Sequence, residues 1–87
     1  MADKVFQLEV LTPRRTVFAG QVSSLVAPGT LGYLGVLANH APLVTTLESG
    51  KVTYRDPAGS LATLQLLGSG FLEVFHNQVT LLADEIA

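Results

Sequence analysis

Residues 50–67 read GKVTYRDPAGSLATLQLL, two alternating segments on either side of a turn. In the first segment Val52 and Tyr54 alternate with polar residues, and in the second Leu64 and Leu66 do the same. Alternation with a period of two is the pattern of a strand that buries one face. The Asp-Pro-Ala-Gly between the segments has Pro and Gly where a β-turn accepts them. This stretch therefore predicts a β-hairpin.

Comparable short segments fill the rest of the chain, and Gly, Pro or Asn stands near the end of each. The phase slip at 23–24 is typical of a β-bulge. No window of about eleven residues or more carries the apolar stripe of a helix free of Gly and Pro. We therefore expect an all-β fold: a two-sheet β-sandwich or flattened barrel of eight to ten short strands, one domain over residues 1–87. The further segments are 6–10, 16–19, 21–27, 32–37, 43–47, 71–75 and 79–83, with a tight turn at 76–77.

The composition excludes several classes of protein. Apolar residues make up 48% of the chain and charged residues 14%, which is the opposite of a disordered segment. The net charge of −2 leaves no basic footprint for nucleic acid, and the absence of cysteine excludes disulfides and thiolate chemistry. Residues 1–4 lack the pattern of a signal peptide, and no run reaches the roughly 20 apolar residues that span a bilayer, so we expect no bilayer insertion. A domain this small cannot bury all its apolar surface, which predicts a protein interface.

The sequence offers little for catalysis. His40 and His76 have no acidic neighbour at ligand spacing, and the serines lack the surroundings of a nucleophile. Glycines at 29, 32 and 35 resemble a phosphate loop, but no helix follows them to face an anion. We therefore expect no catalytic residue, no metal and no cofactor. Two classes of function remain: a non-catalytic subunit of a larger assembly, or a small enzyme or carrier.

The segment from 29 to 46, GTLGYLGVLANHAPLVTT, resembles the signature of the ε subunit of F-type ATP synthases, which is called δ in mitochondria. That signature reads G-x-x-G-x-x-G-[IV]-x-x-x-H-A-P-[LI]-[LVA]-T. The flanking segments 8–13, 17–20, 50–52, 68–74 and 77–83 resemble the family in the same order, so the likeness covers nearly the whole chain. The signature is met at Gly29, Gly32, Gly35, Val36, His40, Ala41, Pro42, Leu43, Val44 and Thr45.

The resemblance implies a non-catalytic central-stalk subunit with a β-sandwich fold. Such a subunit belongs to the rotor, links the γ shaft to the membrane c-ring and couples proton transport to ATP synthesis. It implies a peripheral membrane protein on the cytoplasmic face of the bacterial plasma membrane, or on the inner membrane of an organelle. The alternatives are a generic β-sandwich adaptor of another assembly and a small β-barrel enzyme.

The resemblance also implies contact residues. Thr12, His40 and Thr45 correspond to the surface that faces γ, and Leu31, Gly32 and Tyr33 to the end that faces the c-ring. Two features depart from the family pattern. Many members carry an acidic residue at the position of Tyr33. Most bacterial members continue into a C-terminal helical hairpin that can inhibit ATP hydrolysis, which we expect to be absent from this chain.

Overall fold

A computed structural model describes residues 4–87, so the expectation drawn from residues 1–3 lies outside it. The described residues form eight strands and no helix, which confirms the all-β expectation; they accordingly contain no helix able to cross a membrane. The strands are β1 (Phe6–Leu11), β2 (Thr16–Val22), β3 (Ser24–Gly29), β4 (Gly32–Leu37), β5 (Leu43–Leu47), β6 (Gly50–Arg55), β7 (Leu61–Phe75) and β8 (Gln78–Ile86).

The strands form one continuous sheet that the long strand β7 folds into two layers. The second half of β7 lies between β5 and β8, and β8 continues through β1 to the edge strand β2; we call this the β8 layer. The first half of β7 pairs with β6, which leads through β3 to the other edge strand, β4; we call this the β6 layer. The pair Gly29–Leu47 joins β3 to β5, so β3, β6, β7 and β5 form a closed ring. The result is a flattened barrel with two free edges.

The core lies between the layers and consists of the inward residues of each strand. Leu8 and Val10 of β1 point inward beside Leu72 and Val74 of β7 in the same layer, because alternate side chains of a strand point to the same side. The Phe18 and Tyr54 rings contact each other across the layers with centroids 4.5 Å apart. The other buried apolar residues are Phe6, Val22, Leu25, Ala27, Val36, Leu47, Val52, Leu66, Val79, Leu81, Ala83 and Ile86.

A bulge at the middle of β7 makes the corner between the layers. Gly68 has φ of +80°, a conformation that favours glycine, and its N–H and C=O are both bonded to the Ser49 hydroxyl at 3.0 and 2.9 Å. The Asp84 carboxylate on β8 accepts hydrogen bonds from the N–H and the hydroxyl of Ser69. The unpaired groups of the bulge are thereby satisfied, which lets one strand serve both layers.

Two strand boundaries differ from the sequence expectation. Residues 21–27 are not one bulged strand: β2 ends at Val22, β3 begins at Ser24, and the Ser23 N–H donates to the Arg55 carbonyl at 2.8 Å. The segments before and after the glycines at 68 and 70 are not separate strands, because the bulge keeps them in one strand of 15 residues.

Candidate interaction surfaces

The exposed side of the β8 layer carries large apolar side chains. Phe71 and Leu82 stand opposite each other on β7 and β8, 54% and 46% exposed, and Leu11 continues the row on β1. Val44 and Phe75 project from the same side, at 70% and 55% exposure. We call these five residues the apolar face. Several large apolar side chains exposed on one side of so small a domain are typical of a protein-binding site.

Two carboxylates cross the apolar face. Glu73 pairs with Val44 on one side and with Thr80 on the other, and Thr80 in turn pairs with Glu9. Both glutamates are exposed. A partner that covers this face therefore has to bring hydrogen-bond donors or cations to the middle row and apolar groups to the rows beside it.

Thr12 stabilises the turn between β1 and β2, at one end of the apolar face. Its hydroxyl oxygen lies 3.3 Å from the backbone N–H groups of Arg14 and Arg15, and its own N–H donates to the Arg15 carbonyl at 2.9 Å. The two arginines are exposed and border a groove of about 580 Å³ whose floor includes Phe71 and Leu82.

His40 lies at the opposite end, in the loop between β4 and β5. This loop is attached to the β7–β8 turn by two hydrogen bonds between Asn39 and Asn77. The Asn39 backbone N–H donates to the Asn77 side-chain oxygen at 2.6 Å, and the Asn77 side-chain N–H donates to the Asn39 side-chain oxygen at 3.0 Å. The His40 ring nitrogen Nδ1 donates to the Ala41 carbonyl at 2.7 Å, which fixes the ring and leaves Nε2 free. Its neighbour in the resulting cleft is His76, whose ring packs edge-on against Phe75 of the apolar face.

Thr45 occupies a different environment from Thr12 and His40. It is half-buried, and its cross-strand neighbour is the fully buried Leu72, so its side chain lies on the inward side of β5. The outward residues of this strand are Val44 and Thr46. The continuous run of apolar and β-branched residues in β5 has no alternation from which the outward side could be read in the sequence.

Leu31, Gly32 and Tyr33 lie together at the tip of the β3–β4 hairpin. Leu31 is fully exposed in the turn, and Gly32 has φ of +128°, which restricts that position to glycine. Tyr33 belongs to strand β4 rather than to a loop. Its ring is largely exposed, while its hydroxyl accepts a hydrogen bond from the Lys51 N–H at 3.0 Å.

The hairpin tip adjoins the apolar face. The hydroxyls of Thr30 and Thr46 are 3.0 Å apart, and Thr46 is paired with Phe71. The structure thus brings the Leu31 tip close to one end of the apolar face, whereas His40 lies at the other. Sequence reasoning missed the apolar face itself; the only signal is that Phe71 and Phe75 alternate with buried residues in β7.

Among residues 4–87 no three His, Cys, Asp or Glu side chains gather as a metal site would require. A β-fold with an exposed apolar face is typical of a protein-binding module. The chain belongs to the family of ATP synthase delta/epsilon chains, since the model of that family's beta-sandwich domain matches residues 5–87.

Individual relatives agree with this assignment. The chain is 48% identical over 84 residues to the ATP synthase epsilon chain of Pelotomaculum thermopropionicum; the match covers 97% of this chain and 61% of that protein. It is 42% identical over 86 residues to the ATP synthase epsilon chain of Chlorobaculum tepidum, with 99% and 97% covered. The chain thus spans about three fifths of one relative and nearly all of the other.

Solved structures share the fold. A chain in the Euglena gracilis mitochondrial ATP synthase OSCP/F1/c-ring complex superposes with a TM-score of 0.87 at 20% identity, over all of this chain and 54% of that one. A chain in the Tetrahymena thermophila mitochondrial ATP synthase central stalk/c-ring structure gives 0.81 at 12% identity, over 100% and 69%. At these identities the likeness establishes the β-sandwich fold.

Proposed function

We propose that the chain is a non-catalytic rotor subunit of an F-type ATP synthase, which joins the γ shaft to the c-ring and couples proton transport to ATP synthesis. The observation that carries this proposal is the apolar face on a member of the delta/epsilon family. A subunit that transmits torque has to be rigid and has to hold a partner over a large apolar area. The closed ring of β3, β6, β7 and β5 provides the rigidity.

The surface proposed to bind γ is the apolar face, with Thr12 at one end and His40 at the other. Both residues hold loops in place by hydrogen bonds, and both loops border the face. Thr45 points inward, so its contribution to this surface is to position Val44 and Thr46, the outward residues beside it in β5.

The surface proposed to bind the c-ring is the β3–β4 hairpin tip, Leu31 to Tyr33. Leu31 is the most exposed large apolar side chain of the described residues, and the bond from the Lys51 N–H to the Tyr33 hydroxyl holds the hairpin against β6. A tip of this kind offers apolar contact to the loops of the ring, and Tyr33 offers no acidic group for a salt bridge.

We further propose that the protein is peripheral to the membrane, on the cytoplasmic face of the bacterial plasma membrane, or on the inner membrane of an organelle. The family assignment supports a membrane-associated stalk.

The proposal is tested by changing β7 on either side of its bulge. Phe71→Lys places a charge in the apolar face and should weaken binding to γ by about 2 kcal/mol or more, because a desolvated aromatic is lost and a charge is buried in its place. Thr63→Lys is the matched control: Thr63 is an exposed outward residue of the same strand, in the β6 layer. Isothermal titration calorimetry with purified γ measures both.

Equal affinities of the two variants for γ would remove the apolar face from the interface. Leu31→Asp provides a second, independent arm: it should leave the affinity for γ unchanged and reduce retention of the c-ring in the assembled complex. If Leu31→Asp has no effect on the ring, the hairpin tip is not the contact.

A further inference from the structure

The two glutamates that cross the apolar face have no cation beside them in the sheet. Glu9 and Glu73 lie in one row over three strands, with Thr80 of β8 between them. Their outer neighbours in this row are Ala19 and Val44. An opposite charge directly across stabilises a charged residue on a sheet. Here every cross-strand neighbour of the two glutamates is neutral.

The rows on either side are neutral as well. Two positions along each strand from the row of Glu9, Thr80 and Glu73 stand Leu11, Leu82, Phe71, Gln7, Gln78 and Phe75. The five basic residues of the chain all lie outside the strands of the β8 layer, and they are Lys4, Arg14, Arg15, Lys51 and Arg55. The sheet around the two glutamates therefore supplies no counter-charge.

The spacing of the two glutamates suits a single cation. Neighbouring strands are about 4.8 Å apart, so the backbones at Glu9 and Glu73, two strands apart, are separated by about 10 Å. Thr80 between them is shorter than a glutamate and half-buried, which leaves room above it. A cation held over Thr80 is thus within reach of both carboxylates, and the Thr80 hydroxyl can accept a hydrogen bond from it.

We propose that an arginine of γ binds over Thr80 and bridges Glu9 and Glu73. This inference rests on the proposed binding of γ to the apolar face, and it names the group by which γ recognises that face. A guanidinium is planar, carries five N–H donors and is weakly hydrated, so it can bond two carboxylates at once inside an interface. The ammonium of lysine is compact and strongly hydrated, which suits this place less well.

A positive charge is required because γ would remove water from both carboxylates. Neutral hydrogen-bond donors alone would leave two negative charges in a desolvated interface, which is unfavourable. A bridging metal ion is disfavoured, since two carboxylates provide fewer oxygen ligands than Ca²⁺ or Mg²⁺ usually takes. The row therefore fixes the place on the apolar face where a basic side chain of γ lies.

Isothermal titration calorimetry of the chain with purified γ tests the proposal. Glu9→Gln and Glu73→Gln should each lower the affinity at least about tenfold. The double variant should lose more than the product of the two effects, because the arginine of γ is then buried without any counter-charge. Glu48→Gln is the matched control, since it makes the same change of charge at an exposed residue between β5 and β6 and should leave the affinity unchanged.

Charge reversal identifies the arginine. Glu73→Lys should weaken binding further than Glu73→Gln, because it repels the cation. Each arginine of γ is then changed to Glu in turn. One of these γ variants should bind the parent chain weakly and should bind Glu73→Lys more tightly than the parent γ does, a recovery that a general loss of folding could not produce.

Phe71→Lys separates this proposal from the one on which it rests. If Phe71→Lys weakens binding while both Gln variants bind like the parent, γ covers the apolar face without such a cation, and the arginine proposal alone fails. If all three variants bind like the parent, the apolar face is not the γ surface and both proposals fail. The arginine proposal is also overturned if no arginine variant of γ rescues Glu73→Lys, or if EDTA abolishes binding of the parent, since a divalent cation would then join the carboxylates to γ.

Discussion

Gly70 lies where the corner of β7 is most crowded, opposite β8. A Cβ at this position would collide with the Leu82 carbonyl oxygen and would press on the Ala83 backbone, neither of which is a flexible side-chain end. Gly70→Ala should therefore lower the free energy of unfolding by about 2–3 kcal/mol. Gly35→Ala is the matched control, because the space at Gly35 is open. Urea unfolding followed by circular dichroism measures both.

A similar loss in the two variants would mean that the cost comes from general strand effects of alanine and not from the corner. If Gly70→Ala has the same free energy of unfolding as the parent, β8 moves aside at little cost.

Tyr54 links stability to pH. Burial raises the pKa of its phenol above the ordinary value of 10.0, because the charged form is poorly solvated in the core. The unfolded chain therefore loses this proton first, and the stability from burying the neutral phenol is complete below about pH 10 and falls as the pH rises through the raised pKa. Tyr54→Phe keeps the contact with the Phe18 ring and has no phenol to ionise.

The expected result is that the two stability curves run parallel below about pH 10 and diverge above it. At about pH 8 the unfolding free energies of the parent and Tyr54→Phe should differ by less than about 1 kcal/mol. Above about pH 10 the unfolding free energy of the variant should rise relative to that of the parent. Chemical unfolding at several pH values from about 8 to about 11 measures this difference. Parallel curves would show that the Tyr54 proton is held equally by the folded and unfolded chains.

Among the elements, the β7–β8 turn controls the position of the His40 loop. His76 and Asn77 both have positive φ, 49° and 60°, and the Asn77 side chain exchanges two hydrogen bonds with Asn39. Asn77→Gly removes the hydrogen bonds but suits the backbone, and should cost about 1 kcal/mol. Asn77→Ala loses the hydrogen bonds and is also strained at positive φ, so it should cost about 2 kcal/mol. Thermal unfolding of both variants separates the two contributions.

The NMR signals of His40 provide the second measurement for this turn. Both Asn77 variants should shift them, because the loop is attached through the same two hydrogen bonds. Equal stability of Asn77→Gly and the parent would mean that the bonds to Asn39 contribute nothing, and unchanged His40 signals would mean that the loop is held elsewhere.

Strand periodicity predicted the fold class well, since inward residues such as Val52, Tyr54 and Leu66 keep their period of two in the structure. It failed where local signals have two structural meanings. The glycines at 68 and 70 read as an end of a strand, yet the bonds from Ser69 to Asp84 keep the strand continuous. A hydrogen bond between residues far apart in the chain leaves no trace in local composition.

The candidate surfaces were less predictable than the fold, for the same reason. Phe71 and Leu82 are apolar like the core, and only the ladder between β7 and β8 shows that both face outward. The meeting of His40 and His76 in one cleft likewise depends on a contact between two loops. Resemblance to the family pointed to Thr12 and His40, but it carried no information on the direction of a side chain such as Thr45.

At the scale of the whole molecule, the two proposed surfaces are joined by backbone and not by flexible loops. The hairpin tip is connected to β5 by the Gly29–Leu47 pair and the Thr30–Thr46 hydroxyl contact, and β5 is bonded along its length to β7 of the apolar face. Force applied at the tip therefore passes to the apolar face through hydrogen-bonded strands. This is the mechanical property that a coupling subunit of the rotor requires.

Residues 1–87 should thus be sufficient for coupling but not for inhibition of hydrolysis. Both proposed surfaces lie within these residues, whereas the helical hairpin that the family resemblance associates with inhibition has no counterpart among the eight strands of residues 4–87. A complex reconstituted with residues 1–87 should couple ion flow to ATP synthesis, and its soluble catalytic part should hydrolyse ATP as fast with the chain as without it. The longer Pelotomaculum thermopropionicum relative, of which the chain spans 61%, is the comparison. If residues 1–87 inhibit ATP hydrolysis and ATP relieves this inhibition, the inhibitory element lies in the β-sandwich. Correct assembly without coupled synthesis would mean that this strand framework cannot carry the torque alone.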